Sequence, residues 1–562
     1  MGTRGLIIVR FNRRYYARYN HSDSYFEALG SWIVAEIPTD PEEYRAWLVR
    51  TRAEYAALER DLENEVYELR DDVDSIPDSY HGFRDFVEFP SELPSMPDVG
   101  AQYTYITNLD QEILTMNGSI HWKLSNIPRQ GNLWLHAIKK SIHKGKLTIS
   151  SETCPEEHMA SPALAPSTLS NEIKYNYRLV VPKANIEAAP KMFLTYVLSR
   201  VLKNYQSQIT QFAMEWTAES FPFRELCFAF VSIASGKARF QPYVRRRIQL
   251  DRCIDREWAQ TADERLTIPF GAMFHRPGEP PGVSPVETIY WLDDVLVSLT
   301  RVPDGTSVTR AVSYGVSQGR NHFQIVILSI FEVILAEVLL GDENKPFVKV
   351  SKPIKLSPLR MDYCTSFHPR ERPEAETGMK RRRRRGELIM MSHCRWIVRT
   401  LGEEFLGFAA LVNFFEVAGN RRAATKSSGR LPTELYEQIL DFVDHETWIS
   451  CLDVSRQIRY LCLRRFRLDH QMRIVTGPSV LPQEMDREHL PSFDAENIQS
   501  GRSIPIMAAP SRFGPRDDTY NWIPEIGNDL KMAMEDVVIQ FGLQGEVSVG
   551  SDSPTWTSDE DE

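Results

Sequence analysis

The chain has 562 residues, with 66 Lys and Arg against 76 Asp and Glu, a formal charge of −10. With 42% hydrophobic and 10% aromatic residues it has the material for sizeable cores, which excludes wholesale disorder, and its length suits several domains. A mean hydropathy of −0.35 argues against a multi-span membrane protein, and the net acidity against a chain that coats nucleic acid along its length.

Residues 6–11 and 15–19 are two short apolar and aromatic runs around Asn12, Arg13 and Arg14, the pattern of a β-hairpin. The run 6–9 is too short for a secretory signal and Arg10 ends it. Thr39 or Asp40 is placed to cap a helix opening on Pro41, Glu42 and Glu43 and running to about Arg70. Its stripe of Tyr44, Trp47, Leu48, Tyr55, Leu58, Leu62, Val66 and Leu69 fits an amphipathic helix packed on its own domain, or a coiled-coil partner helix. Residues 89–100 are Pro-rich and read as a linker.

Beyond the linker, residues 132–142 and 191–216 read as helices, and 175–181, 226–232 and 239–244 as strands. Residues 153–167 and 272–285 read as loop, and 286–299 and 322–340 as helices. The apolar run 323–340 holds Gln324, Glu332 and Glu337, which favours a buried helix over a membrane span. Gly315, Ser317 and Gly319 match the G-x-S-x-G pattern, with an expected strand at 308–314 before it and a helix after it. A nucleophile elbow would put Ser317 on a strained strand-to-helix turn, but no pattern marks the acid and histidine it needs.

Lys380, Arg381, Arg382, Arg383, Arg384 and Arg385 form an unbroken basic run inside a polar loop at 366–386. It fits a nuclear-localisation signal or a solvated loop, and no aromatic platform surrounds it for nucleic acid. Seven cysteines without a CxxC spacing argue against a disulfide framework or a zinc ribbon. The histidines fall into no metal-binding pattern, and no cofactor motif is apparent.

Residues 431–462, LPTELYEQILDFVDHETWISCLDVSRQIRYLC, are the most informative stretch. Pro432 suits a first helical turn and Glu434 a positive helix N-terminus. Leu435, Ile439, Leu440 and Val443 make one apolar face. A turn at 444–447 leads to Trp448, Ile449 and Leu452, and Asp453 or Ser455 can cap a third helix carrying Ile458, Leu461 and Cys462. Three short helices in so few residues bury little core and tend to need a partner surface.

This segment resembles an F-box. Leu431, Pro432, Glu434, Leu435, Ile439, Leu440, Val454, Ser455, Arg456 and Arg459 carry the likeness without gaps. It departs at His445, where a Pro is common, at Thr447 and Trp448 in place of Asp-Leu, and at Ile458 in place of a frequent Trp. The resemblance implies docking on the adaptor subunit of an SCF-type cullin-RING ubiquitin ligase. Leu431, Pro432, Leu435, Ile439, Leu440, Trp448, Val454 and Ile458 would make the contact, some of them forming the module's own core instead. It further implies a non-catalytic role, in which an unknown protein substrate is recruited and held near a charged conjugating enzyme. The first 45 or so residues also resemble the opening of a group of uncharacterised, mainly fungal, proteins that carry no known activity.

The expected architecture is a multi-domain α+β protein. It has a hairpin and long helix over 1–89, a mixed region over 90–425, a three-helix module over 428–470, and a largely flexible acidic tail over 471–562 with one ordered piece near 520–541. The expected location is intracellular, in nucleus or cytoplasm, with no membrane partner. Three functions stay open: substrate recruitment to the ligase, a non-ubiquitin interaction protein with a degenerate F-box, and a serine hydrolase using Ser317.

Overall fold

The computed structural model describes residues 3–71, 101–118, 120–140, 147–150, 153–160, 169, 173–205, 209, 216–242, 267–269, 283–341, 345–356, 405–424, 431–480, 491–501, 503–509, 520–527, 531–533 and 538–541. The expected linker at 89–100, the basic run Lys380 to Arg385 and the acidic end of the chain lie outside them.

The fold is mixed α+β. The first sheet holds β1 (Gly5–Phe11), β2 (Arg14–Asn20), β3 (Tyr103–Asn108), β4 (Ile113–Met116) and β5 (Ile120–Lys123), in the order β2-β1-β3-β4-β5. The expected hairpin is present. Asn12 and Arg13 both take positive φ, which matches a two-residue turn to the twist of its strands. β1 and β3 run parallel, so a crossover must join them. It contains α1 (Ser31–Glu36) and α2 (Pro41–Asp71). Asp40 caps α2, its Oδ1 accepting from the N–H groups of Glu42 and Glu43 at 2.9 and 3.0 Å. Tyr44 and Leu48 are buried under the sheet, and Glu59 pairs with Arg14 of the hairpin at 2.9 Å. The described part of α2 is thus a packed helix of its own fold, as the amphipathic reading expects.

The strands of this sheet alternate cleanly between two cores. Leu6 and Ile8 face a large central core, while Ile7 and Val9 face a smaller one beneath α1 and α2. A two-stranded ribbon of β6 (Ile138–Lys140) and β7 (Leu147–Ile149), preceded by α3 (Leu133–His136), lies beside the smaller core. Where the pattern of 132–142 suggests one helix, α3 is a single turn that gives way to β6.

Three helices fill the central core: α4 (Ala189–Asn204), α5 (Phe221–Ala234) and, later in the chain, α7 (Leu406–Ala424). Residues 226–232, expected as a strand, belong to α5. Every α5 residue except Phe228 is buried, so the helix has no polar face for a 3.6-residue period to reveal.

A second sheet flanks these helices. It is built from β8 (Asn176–Leu179), β11 (Ile289–Leu292), β12 (Val295–Leu299), β13 (His322–Leu328), β14 (Glu332–Leu340), β15 (Pro346–Val350) and β16 (Ile354–Lys355), in the order β11-β12-β13-β14-β15-β8, with β16 also on β14. Residues 286–299 and 322–340 are therefore strands, not the expected helices. Both faces of the sheet are covered: Val295, Val297, Val326, Leu328, Val333 and Leu335 enter the central core, and Leu296, Ile325, Ile327, Ile334 and Val338 pack under α6 (Gly305–Ser317). A strand buried on both faces is apolar at every position, and periodicity cannot separate it from a buried helix. Ser329 makes the break between β13 and β14, its Oγ accepting from the N–H of Phe331 and Glu332.

The third sheet comes mainly from the expected flexible tail. It contains β9 (Arg239–Pro242), β10 (Thr267–Pro269), β17 (Met472–Val480), β18 (Pro491–Asn497), β19 (Ser503–Ala509), β20 (Tyr520–Ile526), β21 (Lys531–Ala533) and β22 (Val538–Phe541). The ordered piece expected near 520–541 is β20 to β22, and β17 to β19 extend the order back to residue 472. Sparse apolar residues suffice because each is buried against helices from elsewhere in the chain: Phe493 lies 5.4 Å from Phe193 of α4, and Ile474, Trp522 and Ile526 join the central core. Among the described residues no helix is long and apolar enough to cross a membrane.

Candidate docking site

Residues 433–464 form three short helices, α8 (Thr433–Phe442), α9 (His445–Cys451) and α10 (Arg456–Arg464). Each start has a local cause. Pro432 stands at the N-cap of α8, and the N–H of Leu431 donates to Tyr436 Oη at 3.1 Å. Asp444 caps α9, accepting from Thr447 N–H at 2.7 Å, and Ser455 caps α10, accepting from Ile458 N–H at 3.2 Å. The hydrogen bonds from Thr447 hold the Asp444 carboxyl below its ordinary value.

The inner face joins the central core through Tyr436, Leu440, Trp448, Leu452, Ile458, Leu461 and Cys462. Trp448 meets Phe466 edge to face at 5.6 Å, and His445 stacks on Trp448 at 5.7 Å. Burial pushes His445 down to about 4, with Arg239 adding to the shift, so the imidazole is neutral around pH 7. Burial likewise lifts the Cys462 thiol to about 12, which removes it as a thiolate nucleophile.

Arginines fasten the three helices to the rest of the fold. Arg467 donates to the carbonyls of Leu440 and Val443, satisfying the open C-terminal end of α8. Arg473 of β17 reaches Asp441 at 2.5 Å and Glu496 at 3.1 Å. Arg422 of α7 pairs with Asp453 and, at 2.7 Å, with Asp293 at the turn between β11 and β12. Burial works against the Asp293 charge, but Lys237 and Arg422 outweigh it and hold the carboxyl below its usual range. Arg459 is buried under α7 at Gly419, where an added Cβ would lie 2.1 Å from the guanidinium.

The outer face is different. Leu431, Leu435, Ile439, Phe442, Val454 and Tyr460 are exposed, with Phe442 at 91%. Leu435, Ile439 and Phe442 stand four and three residues apart, so they share one side of α8 as an apolar stripe. Of the eight sequence-predicted contact residues, the structure places Leu431, Pro432, Leu435, Ile439 and Val454 on this outer side. It buries Leu440, Trp448 and Ile458 within the core, where they hold the helices in place. Phe442 and Tyr460 escape the motif reading, although Phe442 is the next step of the stripe that starts at Leu435.

Among the described residues Ser317 has no hydrolase geometry around it. Gly315 and Ser317 close a helix that is followed by a strand, the reverse of a nucleophile elbow. Ser317 Oγ donates to the Tyr314 carbonyl within its own helix at 2.7 Å, and His322 is engaged by Glu337 at 3.0 Å. The glycine pattern has a packing cause: a Cβ at Gly315 would sit 2.3 Å from the Phe323 ring, and Gly319 turns the chain at φ 74°. Among the described residues no group of three or more His, Cys, Asp or Glu could hold a metal ion.

No protein-family model, curated protein or solved structure matches the chain.

Proposed function

We propose that this protein is a non-catalytic recruiting subunit of an SCF-type cullin-RING ubiquitin ligase, docking on the adaptor through the outer face of α8 to α10 and presenting a protein substrate on the rest of the fold. The observation that carries the reading is the division of α8. Leu431 and Pro432 at its start and Leu435 and Ile439 within it are exposed, although the helix is anchored by Tyr436 and Leu440. Contiguous exposed apolar side chains of this kind are a usual mark of an interaction face. Burial of Leu431 and Pro432 would favour the competing reading, a degenerate F-box without a partner; their exposure supports the docking reading instead. The basic run at Lys380 to Arg385 would send the complex to the nucleus in this reading.

The test is co-expression of the full chain with its host's adaptor subunit, alongside a Leu431→Ala/Pro432→Ala double variant. Co-purification of the parent and loss of the variant is the expected result. Failure of the parent to bind, with α8 to α10 folded, would leave the stripe without its adaptor and overturn the proposal.

A further inference from the structure

At the edge of the second sheet, β8 runs parallel to β15 and has no partner on its other side among the described residues. Val180 N–H donates to the Val350 carbonyl at 2.9 Å, which fixes the phase of the ladder. By alternation, the N–H and C=O groups of Tyr177 and Leu179 point away from β15, toward solvent. This edge is unblunted in the usual senses, with no proline inside β8 and no bulge in its register.

The two faces of the edge differ in chemistry. Tyr177 and Leu179 are exposed on one side, and Val181 just beyond is 94% exposed. Arg178 stands on the other side, beside Lys349 of β15 and then Glu337 of β14, a row running across three strands. Glu337 does not neutralise the row, because it is shared among His322, Lys349 and Arg421. From residue 173 to 186 the chain carries Lys174, Arg178 and Lys183 and no acidic residue. None of these three cations has an ion-pair partner among the described residues, and all are exposed.

We infer that the β8 edge is a docking site for an extended, acidic polypeptide segment that adds to the sheet as a further strand. Its backbone would pair with Tyr177 and Leu179, its apolar side chains lying on their side and its carboxylates on the side of Arg178 and Lys349. A second copy of this chain fits the edge poorly, since two such edges would set Arg178, Lys174 and Lys183 against themselves. A nucleic acid would use the cations but not the alternating backbone donors and acceptors. The inference deepens the recruiting role by naming the class of substrate, and rests on that role for its biological meaning; the binding itself is measured apart from the adaptor.

The experiment is a fluorescence-anisotropy titration of the full chain with labelled peptides of about nine residues, long enough to span the edge. The probes are an alternating Val/Glu peptide, its Val/Lys counterpart, a Val/Glu peptide N-methylated on one backbone edge, and a single-stranded oligonucleotide. Saturable binding of the Val/Glu peptide is expected, with the N-methylated form at least about tenfold weaker, since it loses its pairing bonds to the edge. Arg178→Glu/Lys183→Glu should weaken the Val/Glu peptide about tenfold and favour the Val/Lys one. Leu179→Pro removes only an outward N–H, and should lower affinity while leaving β15 pairing intact. Should that variant misfold, the N-methylated probe still decides the case. Equal binding of the two charge forms, indifference to N-methylation, preference for the oligonucleotide, or no binding to about 1 mM peptide would each overturn the inference. Adaptor co-purification of the edge variants is expected to match the parent, so failure at the edge and failure at α8 are told apart.

Discussion

Ile439 and Leu440 are sequence neighbours on opposite sides of α8, and truncating each to Ala separates anchoring from docking. Leu440 is 7% exposed and sits in the central core, so Leu440→Ala should cost about 2–5 kcal/mol, the usual range for a buried leucine. Ile439 is 47% exposed, so only about half of its roughly 1.5–3 kcal/mol burial value is realised in the free chain. Alanine recovers about 0.4 kcal/mol of helix propensity, leaving a net loss near 0.5 kcal/mol. Hydrogen exchange followed by mass spectrometry on segments covering 431–464 reads local opening, where about 3 kcal/mol is a rate change of roughly 150-fold and about 0.5 kcal/mol only two- to threefold. Leu440→Ala should show the large change and Ile439→Ala the small one. Under the proposed docking, adaptor affinity should fall about tenfold or more in Ile439→Ala, because that side chain would complete its burial only in the complex. Equal exchange in the two variants would refute the assignment of faces. Unchanged adaptor affinity in Ile439→Ala would refute the stripe as the contact.

Arg422→Met should destabilise the junction of α7, α10 and the β11–β12 turn by about 2 kcal/mol, measured by urea unfolding, since it leaves Asp453 and Asp293 without their shared cation. Because Asp293 has a folded pKa below its unfolded one, its stabilising contribution is complete above about pH 4 and lost as pH falls further; Arg422→Met should flatten that acid limb. His121 is buried, contacts Thr115 at 3.0 Å, and is pushed down by burial to about 4. The unfolded chain therefore binds the extra proton between about pH 6.5 and 4, and stability should fall through that window by up to about 3 kcal/mol, a slope that His121→Gln should abolish in urea midpoints. Trp522→Phe removes the bond from Nε1 to Asp469 Oδ2 at 2.7 Å and should cost about 1–3 kcal/mol, with faster exchange across β17 and β20. Ser317→Ala should leave stability unchanged, and a fluorophosphonate probe should label neither form.

Elements whose cause lies in adjacent residues are legible in the sequence. The β1–β2 turn, the Asp40 cap, the Pro432 start and the Ser455 cap depend on a few adjacent residues and are legible, whereas 444–447, expected as a turn, open α9 under an Asp444 cap. The misread elements owe their apolar pattern to distant partners. β13 and β14 are covered on both faces, α5 on all sides, and each lacks the polar half that would reveal its period. Their composition held a usable clue: Ile325, Val326, Ile327, Val333 and Ile334 are β-branched, which favours strands. For β17 to β22 the difficulty is the opposite. Their segments look polar because the apolar surface they need is supplied by α4 and its neighbours. At the candidate site the motif named the residues but not their faces, since Leu440 and Ile439 differ only in what lies behind them.

What lies behind them also bears on how recruitment would work. A proximity mechanism gains from a fixed distance between substrate and transferring enzyme, so a docking module on a slack tether would waste much of the effect. Here the three helices are not tethered at one point. Arg467 and Arg473 tie α8 to the third sheet, Arg239 pairs with Glu446 of α9 at 2.5 Å, and Arg422 ties the start of α10 to α7 and the second sheet. These partly exposed ion pairs surround a shared apolar core at Trp448, Leu461 and Phe466. Rotation of the module would have to break that core and several pairs together. The stripe on α8 and the β8 edge, unpaired among the described residues, are thereby built into one packed framework, the arrangement the proposed recruiting role would need.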